Sequence, residues 1–253
     1  MKTDHIFDFI KKQIEGTDLG VKGEEIGRVV SIADDIVQIE GLPSALMSEK
    51  ITIEPLHREF DKEPVPAVVL NLEEYSVGAV MLGDSSQIKE GDIVKKTGEV
   101  LSVPAGEGLL GRVINSIGDV LDGKGKISGQ ITQLPIENQA PSVVDRESVN
   151  TPLNTGIKII DGLIPIGRGQ RELIIADRQI GKTAIAIDVI LNQLSEPAQK
   201  RPVCIYVAIG QKASKVAAII KELEQRGAMD YTIVVFASAA DPISLWYIAP
   251  YAG

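Results

Sequence analysis

Arg171–Asp188 reads RELIIADRQIGKTAIAID, and the reading of these residues decides the architecture of the chain. The apolar, β-branched run Glu172–Ile175 predicts a buried strand, and apolar residues recur at helical spacing from Lys182 to Leu194. Gly181, Lys182 and Thr183 match the end of the pattern GxxxxGK[ST]. In such a strand–loop–helix unit, backbone N–H groups wrap phosphates, the lysine reaches the β- and γ-phosphates, and the hydroxyl ligates Mg²⁺. A chance Gly-Lys-Thr at a polar helix start would lack the strand before it and the helix after it.

One of the four fixed positions departs from the pattern, because Ala176 stands where glycine is called for. Glycine is used where φ is positive or where backbone closely approaches a ligand, and alanine tolerates the second better than the first. If residue 176 ends the strand in extended geometry, the loop survives. A positive φ there would store strain on the order of 1–2 kcal/mol. The expectation is a weakened phosphate site, not an abolished one.

Composition limits the alternatives. The 253 residues suggest one or two domains, and 44% apolar with 24% charged residues is ordinary for a globular protein. A net charge of −9 argues against nucleic acid as a partner, since non-specific phosphate-backbone binding needs clustered Lys and Arg. The lone Cys204, in the apolar run PVCIYVAIG, reads as a small hydrophobe and fits a reducing compartment. His5 and His57 lie far apart without metal-ligand context and read as surface residues. No run approaches eighteen apolar residues, which predicts no direct membrane span, and the N-terminus lacks the apolar core of a signal peptide.

Residues 1–24 predict a short amphipathic helix and linker, with Asp4 as N-cap, Ile6, Ile10 and Ile14 on one face and Gly16 as stop. Residues 25–97 predict a small all-β barrel from six short runs: GRVVSI, DIVQIEGL, ITIE, AVVLNL, VGAVMLG and DIVKKTGEV. An oligonucleotide-binding barrel would need aromatic platforms and a basic groove, whereas Phe60 and Tyr75 stand nearly alone, so a structural barrel is expected. LPIENQAPSVVDRESVNTPLNTG reads as a connection over the surface.

Residues 98–253 predict an α/β phosphate-loop (P-loop) nucleotide-binding domain with an incomplete parallel sheet. Strand Glu172–Ile175, helix Lys182–Leu194, strand Val203–Ile209, helix Ala213–Arg226 stopped by Gly227, and strand Thr232–Phe236 alternate as βαβαβ. Ligands of such sheets bind beyond the carboxyl ends of the strands, where Ala176–Thr183 and Gly210–Gln211 both fall.

TGIKIIDGLIPIGRGQRELIIADRQIGKTAIAID, VAIGQKASKVA and WYIAPYAG resemble the alpha subunits of rotary F-type, proton-translocating ATP synthases, as do VGAVMLG and GEGLLGRVINSIGDVLDGKG. The similarity covers nearly the whole chain. It implies a barrel, a nucleotide domain and a C-terminal helical domain, in a ring alternating with beta subunits around a central-stalk gamma subunit, with a peripheral-stalk delta subunit. It further implies a peripheral position on the cytoplasmic face of a bacterial cell membrane. Against that pattern the chain reads as C-terminally truncated, with the helical domain absent.

The departures are specific. The family loop is similar to GDRQTGKT, so Ala176 and Ile180 replace a Gly and a Thr; Lys215 stands where Thr is common; and EPLHREFDKEPVPAV is longer than the usual barrel turn. The sequence reaches Gly253 before the strand expected to deliver a Mg²⁺-coordinating aspartate and before the arginine expected to reach a neighbouring site. Asp241, five residues past Phe236, reads as a loop or helix-start residue, not a substitute.

By this resemblance the nucleotide-binding residues are Ala176, Asp177, Arg178, Gln179, Ile180, Gly181, Lys182, Thr183 and Gln211, with Thr183 on Mg²⁺ and ATP or ADP as ligand. Where catalytic beta subunits carry a glutamate that polarises the attacking water, this chain has Gln211. A neutral amide orients water but takes no proton from it. No catalytic residue is assigned, and the expected role is a non-catalytic, regulatory and structural subunit. The competing readings are an autonomous ring ATPase, a helicase or secretion motor, and a non-functional fragment.

Overall fold

The computed structural model describes residues 25–56 and 64–253. The expected N-terminal helix, His5, His57, Phe60 and most of the extended turn after Glu54 lie outside them.

The first unit is a closed barrel of β1 (Ile26–Ala33), β2 (Ile36–Glu40), β3 (Glu49–Glu54), β4 (Val65–Leu72), β5 (Val77–Met81) and β6 (Ile93–Val100), in the order β1-β2-β5-β4-β3-β6. All six runs read as strands from the sequence are present. Neighbours pair antiparallel, and β6 returns to β1 through Gly27 opposite Val94. Alternation drives closure: β3 and β5 bury every second residue, so Ile51, Ile53, Val77 and Met81 face inward with Val37, Ile39 and Val94. Each such aliphatic side chain contributes about 1.5–3 kcal/mol by leaving water. Two buried carboxylates secure the barrel's loops. Glu49 accepts from the N–H groups of Leu46 (2.8 Å) and Gly98 (2.9 Å), and Asp92 from those of Leu56 (2.9 Å) and Lys89 (2.7 Å).

A short ribbon follows, β7 (Ser102–Ala105) antiparallel to β9 (Thr132–Pro135), enclosing β8 (Val113–Ile114). Residues 137–151 are exposed, as the connection was read. β10 (Pro152–Leu153), α1 (Lys158–Leu163) and β11 (Ile166–Gly167) lead to α2 (Lys182–Asn192), β12 (Cys204–Gln211), α3 (Ala213–Gln225), β13 (Thr232–Ser238) and α4 (Ile243–Ala252). The second sheet is parallel, in the order β12-β13-β8, with α3 crossing between β12 and β13 and Gly227 at φ 70° past the end of α3. Its core joins Ile187 and Ile190 of α2, Val216 and Leu223 of α3, and Ala208 and Val234 of the sheet.

One expected strand is missing. Glu172–Ile175 forms no ladder, and Leu173 and Ile175 are 82% and 83% exposed. An apolar, β-branched run reports a tendency to be buried in a sheet, but a strand exists only where its N–H and C=O groups meet those of a neighbour, and none among the described residues does so. The third strand comes instead from Val113–Ile114, whose two residues are too short a run to signal a strand. The observed unit is therefore β12-α3-β13 with β8 beside it, not a βαβαβ beginning at Glu172.

The two units are packed together. Leu245 and Ile248 of α4 share a core with Val68, Leu82 and Leu101 from the barrel side, and Ser244 Oγ donates to the Met81 carbonyl at 2.6 Å. Ser116 Oγ, fully buried, donates to the Leu245 carbonyl at 2.7 Å.

Candidate phosphate loop and nucleotide site

The loop between Ile175 and α2 is held by its own lysine. Lys182 Nζ donates to the carbonyl of Asp177 at 2.8 Å and to that of Ala176, drawing the start of the loop back over the first turn of the helix. Gly181 caps α2 at φ 101°, a left-handed conformation that favours glycine. Ala176 has no positive φ, so the strain that would have weakened the loop there is not incurred. The unusual dihedral sits three residues on, where Gln179 has φ 65°, one of the costly non-glycine conformations that cluster at ligand sites.

Left-handed residues at 179 and 181 with Ile180 between them alternate the hand of the backbone, an arrangement in which successive N–H groups can turn toward a common side and receive an anion. Among the described residues, none of the backbone N–H groups from Asp177 to Gly181 donates to a protein acceptor. The first turn of α2 adds its unpaired N–H groups and the positive end of its dipole. Thr183 is half-buried in that turn, while Asp177, Arg178, Gln179 and Ile180 are exposed.

The far end of α2 is fixed as firmly. Arg201 donates to the carbonyls of Gln193, Leu194 and Glu196 at 3.1 Å each, a cation on the negative end of the helix dipole. Its guanidinium lies 4.9 Å from the ring centroid of Tyr231, whose hydroxyl donates to the Ile190 carbonyl at 2.9 Å. Arg201 thereby ties the end of α2 to the segment that leads into β12 at Cys204.

Gln211 is the last residue of β12. Its Nε2 donates to the Tyr206 hydroxyl at 3.3 Å, and its Oε1 is buried without a hydrogen-bond donor among the described residues. A buried amide oxygen in that state is an acceptor for a water or ligand group. Among the described residues, no hydrogen bond joins Gln211 to residues 176–183. Asp241 occupies the turn after β13, where its carboxylate accepts from the Ser238 N–H at 2.6 Å, the loop role read for it. Cys204 packs against the core of the second sheet and burial pushes its thiol up, which keeps it protonated.

Two features were not legible beforehand. Trp246 of α4 lies against Gly210, and Tyr206 pairs with Gln211. The Gly-Gln sequence at the strand end was the available signal, since a glycine there invites either a positive φ or a close neighbour, and Gly210 has both, with φ 62°.

Residues 156–253 match the nucleotide-binding domain of the ATP synthase alpha/beta family, and residues 23–98 match that family's beta-barrel domain. The whole chain is 50% identical over 254 residues to ATP synthase subunit alpha of Parabacteroides distasonis and 51% identical over 253 residues to that of Caldanaerobacter subterraneus subsp. tengcongensis, covering 47% of each. The subunit alpha of Phocaeicola vulgatus is likewise 50% identical over all of this chain, which covers 46% of that protein. The chain thus spans about half the length of the curated relatives it matches. Since the closed barrel and the phosphate-loop unit follow one another in the order and at the residues of the two domain models, the chain belongs to the ATP synthase alpha/beta family.

Proposed function

We propose that the chain works as the nucleotide-binding, non-catalytic alpha subunit of an F-type ATP synthase, an assembly that makes ATP from ADP and phosphate at the expense of a transmembrane proton gradient. Its partners are beta subunits in an alternating ring, with gamma in the central stalk and delta in the peripheral stalk, and it sits peripherally on the cytoplasmic face of a bacterial cell membrane. No helix among the described residues is long and apolar enough to cross a membrane. Residues 25–97 serve as the barrel domain and residues 98–253 as the nucleotide domain.

The observation that carries this reading is the set of unpaired backbone N–H groups from Asp177 to Gly181, aimed from a loop of alternating hand at the start of α2. They fit the β- and γ-phosphates of ATP or ADP, with Lys182 exchanging its two loop carbonyls for phosphate oxygens. Arg178 and Gln179, exposed on the same loop, flank the nucleotide. The half-buried Thr183 hydroxyl fits as a protein ligand of Mg²⁺. Held by Thr183, a bound Mg²⁺ would supply positive charge against the developing negative charge of the phosphates.

Gln211 separates holding a nucleotide from hydrolysing it. Its amide accepts a hydrogen bond from a water but has no basic atom for the proton, and the loss of a general base costs about 10²–10⁴-fold in rate. Steady-state ATP hydrolysis is therefore expected to stay at background for the isolated chain, and to appear only in a ring assembled with a catalytic beta partner. Robust turnover by the chain alone, abolished by Lys182→Ala, would favour an autonomous motor instead.

A further inference from the structure

We infer that Trp246 is a positioning residue for Gln211. This rests on the assignment of Gln211 to the nucleotide site proposed above. Three contacts converge on one turn. A Cβ at Gly210 would lie 3.5–3.7 Å from three carbons of the six-membered ring of Trp246, so the indole packs against the backbone immediately before Gln211. The indole Nε1 donates to the Ser238 carbonyl at 2.6 Å. Ser238 is the register partner of Gln211 across the β12–β13 ladder, just past an irregularity in the register at Ile209, and the Gln211 carbonyl accepts from the Ala239 N–H at 3.1 Å.

The physical need for a brace follows from the register shift. The irregularity leaves Gly210 without a register partner, so the ladder does not fix the joint immediately before Gln211. Gly210 at φ 62° adds a permissive joint at the same place. A rigid two-ring side chain that packs on the joint and bonds the opposite strand removes both freedoms. Tyr206 holds the Nε2 end of the Gln211 amide and leaves Oε1 as the free acceptor. Fixing the backbone of Gln211 thus fixes where that acceptor points. Trp246 is half-buried and is the single tryptophan of the chain, so its emission reports on this turn alone.

The test is a double-mutant cycle in Mg-ATP affinity, measured by calorimetry on the 253-residue chain with Trp246→Ala, Gln211→Ala and the double variant. Each single variant is expected to weaken binding about tenfold, the scale of one or two net hydrogen bonds, and the double variant no more than either. Trp246→Phe, which keeps a ring on Gly210, is expected to recover most of the affinity lost in Trp246→Ala. In the wild type, saturating Mg-ATP is expected to change the tryptophan emission. Additive losses approaching a hundredfold, or unchanged emission in a chain that calorimetry shows to be saturated, would overturn the assignment of Trp246 while leaving nucleotide binding intact. No binding by the wild type at all would instead sink the functional reading, and the inference with it.

Discussion

Lys182→Ala is expected to lower the affinity of the chain for Mg-ATP by about 100-fold or more. Hydrogen bonds to charged groups are worth about 1.5–3 kcal/mol each, and an ammonium reaching two phosphates makes more than one, so a loss near 2.8 kcal/mol is the lower end. The fold should be untouched, because among the described residues the ammonium bonds only to the carbonyls of Ala176 and Asp177 and alanine is the best helix former at the start of α2. Ala176→Gly in the same calorimetric assay should change affinity by less than about threefold, since residue 176 has no positive φ to relieve and offers the lysine only a backbone carbonyl. Equal affinities for wild type and Lys182→Ala would remove the phosphate-loop reading; a large loss in Ala176→Gly would show the alanine to be a fitted feature of the loop.

Arg112→Met is expected to destabilise the chain by about 3–5 kcal/mol at neutral pH, the usual result of removing one member of a buried ion pair. Arg112 Nε and Nη2 meet the two oxygens of Asp122 at 2.7 and 3.1 Å, and Nη2 also donates to the Gly125 carbonyl at 2.6 Å. The side chains are 10% and 5% exposed, so the carboxylate left behind has little water to turn to. It also accepts from the N–H groups of Val113 (3.2 Å) and Lys124 (2.9 Å), which ties the pair directly to β8. The Arg112 guanidinium, aided by those N–H groups and opposed by burial, holds the Asp122 carboxyl at about 2, below its ordinary 3.8. A depressed carboxyl stabilises the fold above its unfolded value and loses that contribution as pH falls through its folded value. About 2 kcal/mol should thus disappear between about pH 4 and pH 2 in the wild type and much less in Arg112→Met. Urea unfolding of both proteins across that range checks it, and a neutral-pH difference below 1 kcal/mol would mean that the pair is dispensable.

The barrel was legible almost residue by residue because its information is local. β2, β3 and β5 alternate throughout, the strands are bounded by Gly, Asp or Pro, and antiparallel neighbours need only short connections. The same holds for α2 and α3, whose spacing and whose stop at Gly227 are written in consecutive residues. What could not be read depends on partners distant in sequence. Glu172–Ile175 has the composition of a strand but no ladder, while Val113–Ile114 has almost no signal and does have one. At the site, the start of α2 was legible from Gly181, Lys182 and Thr183, but which residue carries the unusual dihedral was not, because Gln179 reveals it only in three dimensions. Trp246 stood in a segment that resembled the family without any residue-level reason. Its part emerges only when α4 folds back against the end of β12.

The seat of β8 beside β13 has a consequence for the order in which the chain acquires structure. Val113 pairs with Val234, so the third strand of the sheet waits for residues 121 positions further along the chain (234 − 113), and closing so long a loop costs entropy before any contact is gained. The barrel has no such wait, as its most distant pairing, β1 with β6, closes within residues 26–95. The barrel is therefore expected to mature first, with Val113–Ile114 an exposed sticky segment until β13 arrives. In pulse-labelled hydrogen exchange during refolding, the amides of Ile39 and Ile53 should become protected before that of Val234, whose partner is the Arg112 carbonyl at 3.0 Å. The simultaneous protection of all three would mean that barrel and sheet form as a single cooperative unit.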